Sequence, residues 1–317
     1  MAITFGCVIG QAIWGPTASP DAIKTLGLRA EALGFDSIWI PDHVVIPREA
    51  AAKYPYAADG QSPFDPDQDF YEPLSVLNFL AGCTSRVQLG MHVLIVPYRE
   101  PIFTAKILAT IDALSGGRLI VGAGAGWMEE EFQALGLSTF GRRGAVTTEY
   151  LRLFKELWTK DDPRFDGEFV KASDFGFRPK PVRKPHPPIW IGGHSHAALR
   201  RVAAVGDGWM PIGLRPPTLL TPSDMMVHID YLKRLLRDAG RSIDSIAISL
   251  TAPVMISRTV PTPRPVLQGR PEDIVADLRD YEALGVSNLN INLPGFDIGA
   301  QLDAMEQFAR EIMPHMA

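Results

Sequence analysis

Cysteine is scarce, neither sign of charge is in large excess, and no long apolar run occurs in the chain; each absence removes a class of protein. Cys7 and Cys83 are the only cysteines among 317 residues, too few for a disulfide framework and too far apart for a metal knuckle. They fit a reducing compartment, so a cytoplasmic location is expected. The formal net charge of −5, from 31 basic and 36 acidic residues, leaves no basic footprint and argues against nucleic acid as a partner. No apolar stretch approaches the roughly 20 residues a membrane helix needs. The N-terminal MAITFGCVIG also lacks the basic start and apolar centre of a secretory signal. What remains is 46% hydrophobic and 21% charged, an ordinary composition for a soluble chain that buries a sizeable core.

One stretch organises the rest. In Gly34–Pro47, GFDSIWIPDHVVIP, a glycine ends a helix, an apolar strand follows, and the strand exits into Asp42–His43. Similar units recur. Short apolar strands are expected near 3–10, 36–41, 87–96, 118–123, 188–193, 208–212, 246–256 and 286–293, most of them separated by helical segments. Ser19–Pro20–Asp21 reads as a capped helix start and Gly34 as its stop. The unit EALGFDSIWI at 31–40 is echoed by EALGVSNLNI at 282–291, which points to a repeated helix–glycine–strand module. Eight such units predict an α/β fold of the (β/α)8 TIM-barrel kind in a single domain over 1–317, with an open doubly wound sheet as the alternative. Two stretches break the rhythm as insertion loops. The first, 44–69, carries Pro47, Pro55, Pro63 and Pro66 and reads as a cover over the barrel mouth, the plainer alternative being a disordered insertion; the second is 159–187.

The strand ends hold the chemistry-bearing residues. An imidazole beside a carboxylate at a strand exit, Asp42–His43, is placed for acid–base work, although a polar pair can also simply fix the next loop. His92 lies inside an apolar strand, where a satisfied core histidine is the plainer reading. Gly122-Ala-Gly-Ala-Gly-Trp127 superficially matches a dinucleotide fingerprint, but the next strand begins only at Pro188, outside any short βαβ unit. Glu129–Glu131 suit the first turn of a helix through its dipole. Gly192–Gly193–His194–Ser195 leads from a strand into a helix and offers amides and a hydroxyl to an anion, or else merely caps the helix. His194 and His196, with His43, raise a metal site and hence a barrel hydrolase as a minor alternative.

Taken together, GFDSIWIPDH (34–43), LGMHVLIVPYREP (89–101), GGRLIVGAGAGWMEEEF (116–132), PIWIGGHSHAALRRVAAVGDGW (188–209) and EALGVSNLNI (282–291) resemble the bacterial-luciferase-like superfamily, in its actinobacterial deazaflavin-dependent branch. The resemblance spans essentially the whole chain. It implies a barrel that binds coenzyme F420, or alternatively FMN, at its C-terminal mouth and transfers a hydride to or from an apolar or carbonyl- or alkene-bearing small molecule. It makes His43 the catalytic residue and Asp42 a contact to the ring. Met91, His92 and Val93 become the segment behind the ring, where relatives often carry a non-proline cis peptide. Ala125, Gly126 and Glu130 become a coenzyme loop, and Gly192, Gly193, His194 and Ser195 the phosphate loop. Trp127 stands where sugar-phosphate dehydrogenases of this branch carry an acidic glutamate, so an apolar substrate pocket built from Trp14, Trp127 and the 44–69 loop is expected instead. The resemblance also implies a homodimer, and a separate reductase if the flavin is FMN and the enzyme a monooxygenase. A coenzyme-binding protein without turnover is the remaining alternative.

Overall fold

The computed structural model describes residues 2–49, 54–295 and 297–316. Positions 50–53 of the first insertion lie outside the described residues. Eight parallel strands close a barrel. They are β1 (Thr4–Val8), β2 (Ser37–Ile40), β3 (Gln88–Met91), β4 (Leu119–Gly124), β5 (Ile189–Gly192), β6 (Gly208–Met210), β7 (Ala247–Pro253) and β8 (Asn288–Asn292). Each pairs in parallel with its successor, and β1 meets β8 with Thr4 opposite Asn288, so no barrel edge is left open. Around them pack α1 (Pro20–Leu33), α2 (Pro73–Cys83), α3 (Pro101–Leu114), α4 (Glu129–Ala134), α5 (Arg143–Thr159), α6 (His196–Val205), α7 (Pro222–Asp238), α8 (Pro271–Ala283) and α9 (Ile298–Glu311). Among the described residues, no helix is long and apolar enough to cross a membrane.

The helix signals work as chemistry dictates. Ser19 caps α1 by accepting from the Ala22 amide at 3.1 Å, and Gly34, at φ 87°, turns the chain out of the helix and into β2. At the N-terminal end of the barrel Arg118 acts as a knot. Its guanidinium donates to the carbonyls of Ala81, Thr84, Val87 and Ser115 and to the Thr84 hydroxyl, joining α2 and α3 to the starts of β3 and β4.

The barrel interior is filled by two indoles. Trp39 and Trp190 stack with centroids 5.4 Å apart, packed with Val8, Ile120 and Met210. Their bulk is accommodated because facing positions carry no side chain. A Cβ on Gly6 or Gly90 would come within 2.4 or 2.3 Å of Trp39, and one on Gly208 within 2.4 Å of Trp190. Glycine here is a packing requirement.

Three expectations need correction. The strand expected over 87–96 stops at Met91 and resumes only at Leu94–Ile95, and the His92–Val93 peptide between them is cis. The physical reason is the seat of Val93, whose methyls occupy space beside Gly124 and Gly192; a Cβ on those glycines would stand 2.3 and 2.8 Å from them. The strand expected over 246–256 likewise ends at Pro253, and Met255–Ile256 pairs separately with Gln268–Gly269. The 159–187 insertion is more ordered than its composition suggests. Phe165–Asp166 pairs with Lys171–Ala172, and the Glu149 carboxylate accepts from the amides of Glu168, Phe169 and Val170.

Gly90→Ala should destabilise the barrel by about 1–3 kcal/mol through overpacking against Trp39. Gly82→Ala, in an exposed turn of α2 with open space around its Cβ, should stabilise by about 0.5–1 kcal/mol. Calorimetric melts of the two variants against wild type check both signs.

Candidate active site

The C-terminal strand ends enclose a cavity of about 600 Å³. Its walls come from the exits of β1 (Gly10, Trp14), β2 (Asp42, His43), β3 (His92, Val93), β4 (Gly124 to Trp127), β5 (Gly192, Gly193, Ser195), β6 (Ile212, Arg215) and β8 (Asn292). A larger hollow of about 1070 Å³ opens at the opposite end, lined by strand starts and lacking histidine.

Asp42 and His43 are neighbours with separate duties. Asp42 is buried, and its two oxygens accept a fork from Arg99 at 2.7 and 2.8 Å, while Oδ2 also takes the Ile95 amide at 2.8 Å. Arg99 reaches on to Glu72 at 3.0 Å. The carboxylate that the resemblance assigned to ring contact borders the cavity, but its oxygens are committed to holding the β3 crossover in place. His43 turns the other way. Its Nδ1 is 2.7 Å from Oε2 of Glu131, a carboxylate with no side-chain exposure. Glu131 also accepts from the Val44 and Val45 amides at 2.7 and 3.3 Å and from the Tyr98 hydroxyl at 2.8 Å. A carboxylate accepts only, so the proton of the imidazole sits on Nδ1 and Nε2 is the nitrogen left for a ligand. Burial, and then Glu131, pushes the Tyr98 hydroxyl far above its ordinary range, which keeps it a donor.

Aromatic rings surround His43: Phe64 at 4.5 Å, Phe70 at 5.8 Å and Trp127 at 6.4 Å between centroids. Tyr54 adds a further face, 5.5 Å from Trp127 and 6.0 Å from Phe64, and Trp14 lies 5.3 Å from Phe64. The described part of the 44–69 loop therefore lies over the mouth. Its end is pinned to the β1 exit, with Trp14 bridged to Phe70 and the Tyr71 amide bonded to the Ile13 carbonyl at 2.8 Å.

The opposite wall is polar. Ser195 caps α6 by accepting from Ala198 at 3.2 Å, and Gly193 has φ 84°. Beside it Arg143 donates to the carbonyls of Gly126 and Phe140, and Arg201 to the Gly144 carbonyl and the Thr148 hydroxyl. Burial lowers the Arg201 pKa from its ordinary value. Among the described residues, Arg143, Arg201 and Arg215 belong to no ion pair. Two guanidiniums and a helix N-terminus without a countercharge fit an anionic group, and the Val93 platform between two glycines fits a flat one.

Other sequence expectations land elsewhere. Met91 is buried on β3, and neither it nor Glu130 lines the cavity. His194 packs 6.0 Å from His228 and His196 4.5 Å from Tyr231, so these two rings and His43 do not converge on one point. Among the described residues no group of His, Cys, Asp and Glu is arranged to hold a metal. Sequence reasoning missed Glu131, Tyr98, Arg99, Arg143, Arg201 and Arg215. A signal existed for Glu131: with Met128 and Phe132 it forms a buried stripe at helical spacing, which its neighbours Glu129 and Glu130 do not share.

His92 lines the cavity with its Nε2 buried and without a partner. Burial first, and the Arg215 charge second, hold its pKa down from 6.5 to about 4. Between those values the unfolded chain binds a proton that the folded chain refuses, so stability is lost as pH falls through that window. Thermal melts from pH 7 to pH 4 should show a steeper fall for wild type than for His92→Gln.

Comparison with known proteins agrees with this geometry. The sequence profile of the luciferase-like monooxygenases matches residues 1–260. The chain is 36% identical over 217 residues to an uncharacterized protein of Mycobacterium tuberculosis, covering 67% of this chain and 72% of that one. It is 33% identical to an FMNH2-dependent dimethylsulfone monooxygenase of Pseudomonas putida, over 50% of this chain and 41% of that protein. An F420-dependent glucose-6-phosphate dehydrogenase of Amycolatopsis mediterranei is 24% identical over 94% of this chain and 95% of its own. Among solved structures, the coenzyme F420 dependent tetrahydromethanopterin reductase of Methanopyrus kandleri superposes with a TM-score of 0.77 at 18% identity, covering 100% of both chains. With a closed eight-stranded barrel, a cavity at its C-terminal mouth and a profile match over most of its length, the chain belongs to the luciferase-like monooxygenase family.

Proposed function

We propose that this protein is an oxidoreductase that uses the deazaflavin coenzyme F420 to move a hydride to or from a small organic substrate. The observation that carries the reading is the His43–Glu131 pair: an imidazole with one nitrogen fixed by a buried carboxylate and the other available in a cavity walled by aromatic rings. When bound, the coenzyme supplies the carbon that gives or takes the hydride. His43 holds or moves the accompanying proton at Nε2, and Glu131 keeps the ring in the tautomer that makes this possible. Phe64, Trp127 and Tyr54 exclude water and hold the substrate. Ser195, Arg143 and Arg201 hold the anionic portion of the coenzyme.

The relative that aligns over 94% of this chain, at 24% identity, is F420-dependent, which supports the deazaflavin over FMN. The FMNH2-dependent relative, similar over half the chain, favours a second reading as a monooxygenase supplied by a separate reductase. Trp127 turns one wall of the pocket apolar, which argues against a sugar phosphate as substrate.

Fluorescence titration of the purified protein should give F420 a dissociation constant at least about tenfold below that of FMN, a difference of about 1.4 kcal/mol. The reverse order would favour the monooxygenase. With F420H2 and 2-cyclohexenone as acceptor, His43→Ala should lower kcat by about 10²–10⁴-fold, while the coenzyme dissociation constant changes by less than about threefold. Glu131→Gln should lower kcat by a similar factor, because an amide at that place can donate to Nδ1 and reverse the tautomer. Unchanged turnover in His43→Ala removes the residue from the mechanism.

A further inference from the structure

We propose that the substrate of this cavity carries a single carboxylate on an apolar body and that Arg215 is the residue that selects it. The inference rests on the functional reading above for its chemistry, but the anion site stands on its own observations. Arg215 follows β6 in a tight turn, its amide bonded to the Thr218 carbonyl at 3.0 Å, which fixes where the side chain starts. The guanidinium acts electrostatically on Tyr54, Tyr56 and His92, which line the same cavity. No ion pair among the described residues includes it, and all four groups, Arg215, Tyr54, Tyr56 and His92, have their place on or beside the cavity wall.

This is an unusual setting for a cation. A half-buried charge needs a countercharge or a full set of acceptors, and here its neighbours are two phenols and an imidazole held neutral. Arg143 and Arg201 belong to α5 and α6 on the side of Ser195, whereas Arg215 follows β6 and shares the cavity wall with Tyr54 of the cover loop. Aromatic faces line the cavity that holds both Arg215 and His43, with Tyr54 5.5 Å from Trp127, and Trp127 and Phe64 6.4 and 4.5 Å from the imidazole. A molecule laid across them places its reacting carbon beside His43 and its charged end at Arg215. One guanidinium fork matches one carboxylate in charge and shape; a dianionic phosphate would call for a second cation at that end.

The test uses a matched pair of probes, 4-phenylbutyrate and 4-phenylbutanamide, titrated by quenching of tryptophan fluorescence with and without bound F420. Wild type should bind the acid at least about tenfold more tightly than the amide, and in Arg215→Gln the ratio should fall below about twofold. Arg215→Lys, which keeps the charge but not the fork, should retain an intermediate ratio, and F420 affinity should stay within about threefold of wild type in both variants. Equal binding of acid and amide by wild type, binding of neither, or a preference that survives in Arg215→Gln overturns the proposal. A tenfold or greater loss of F420 affinity in the variants reassigns Arg215 to the coenzyme and also overturns it. If wild type fails to bind F420 yet keeps the acid preference, the coenzyme reading falls and the anion site stands.

Discussion

A carboxylate with no access to water persists only if donors take the place of its hydration shell. Glu131 has such a shell built from two separate pieces of chain: the His43 ring with the Val44 and Val45 amides, and the Tyr98 hydroxyl. Removing one partner of a buried pair of this kind typically costs about 3–5 kcal/mol, because the remaining charge is left uncompensated. The arrangement therefore fixes the loop after β2, the segment after β3 and the short helix α4 against one another. The orientation of His43 is a by-product of that satisfaction. The adjacent Asp42, bound to Arg99 and Ile95, secures the same crossover from the other side.

The second constraint is the absence of side chains at chosen places. Gly6, Gly90 and Gly208 give the barrel interior its room for two stacked indoles, and Gly124 and Gly192 give Val93 its seat at the cavity floor. The same device closes the barrel below and shapes the site above.

Much of this architecture was legible in the sequence, because β2, β4, β6 and β8 each follow a glycine at a helix end. Asp42–His43, Trp14, Trp127, the Gly124–Gly126 turn, Gly192, Gly193 and Ser195 all reach the C-terminal mouth, as strand ends must. The break after Met91 was not legible in the local pattern; only the family resemblance pointed to a cis peptide there, as found at His92–Val93. Met-His-Val-Leu-Ile-Val is a sound strand by local preference, and what interrupts it lies on β4 and β5. The engagement of Asp42 was hidden for the same reason, since its partner Arg99 comes from a different turn of the chain. The arginines on α5, on α6 and after β6 carry no local mark; only the fold shows that they face one cavity. Glu131 is the exception, since a helical stripe of Met128, Glu131 and Phe132 could have distinguished it from Glu129 and Glu130.

Arg118 sits far from all of this, at the starts of β3 and β4, where it gathers four carbonyls and a hydroxyl from the bases of α2 and α3. Its partners are mostly backbone, so the knot depends little on which side chains surround it. A chain anchored in that way can tolerate drift at the opposite rim. Exchanges among Trp14, Tyr54, Phe64 and Trp127 would remodel the shape of the chamber while the foundations hold, and divergence of substrate preference becomes possible without a new fold.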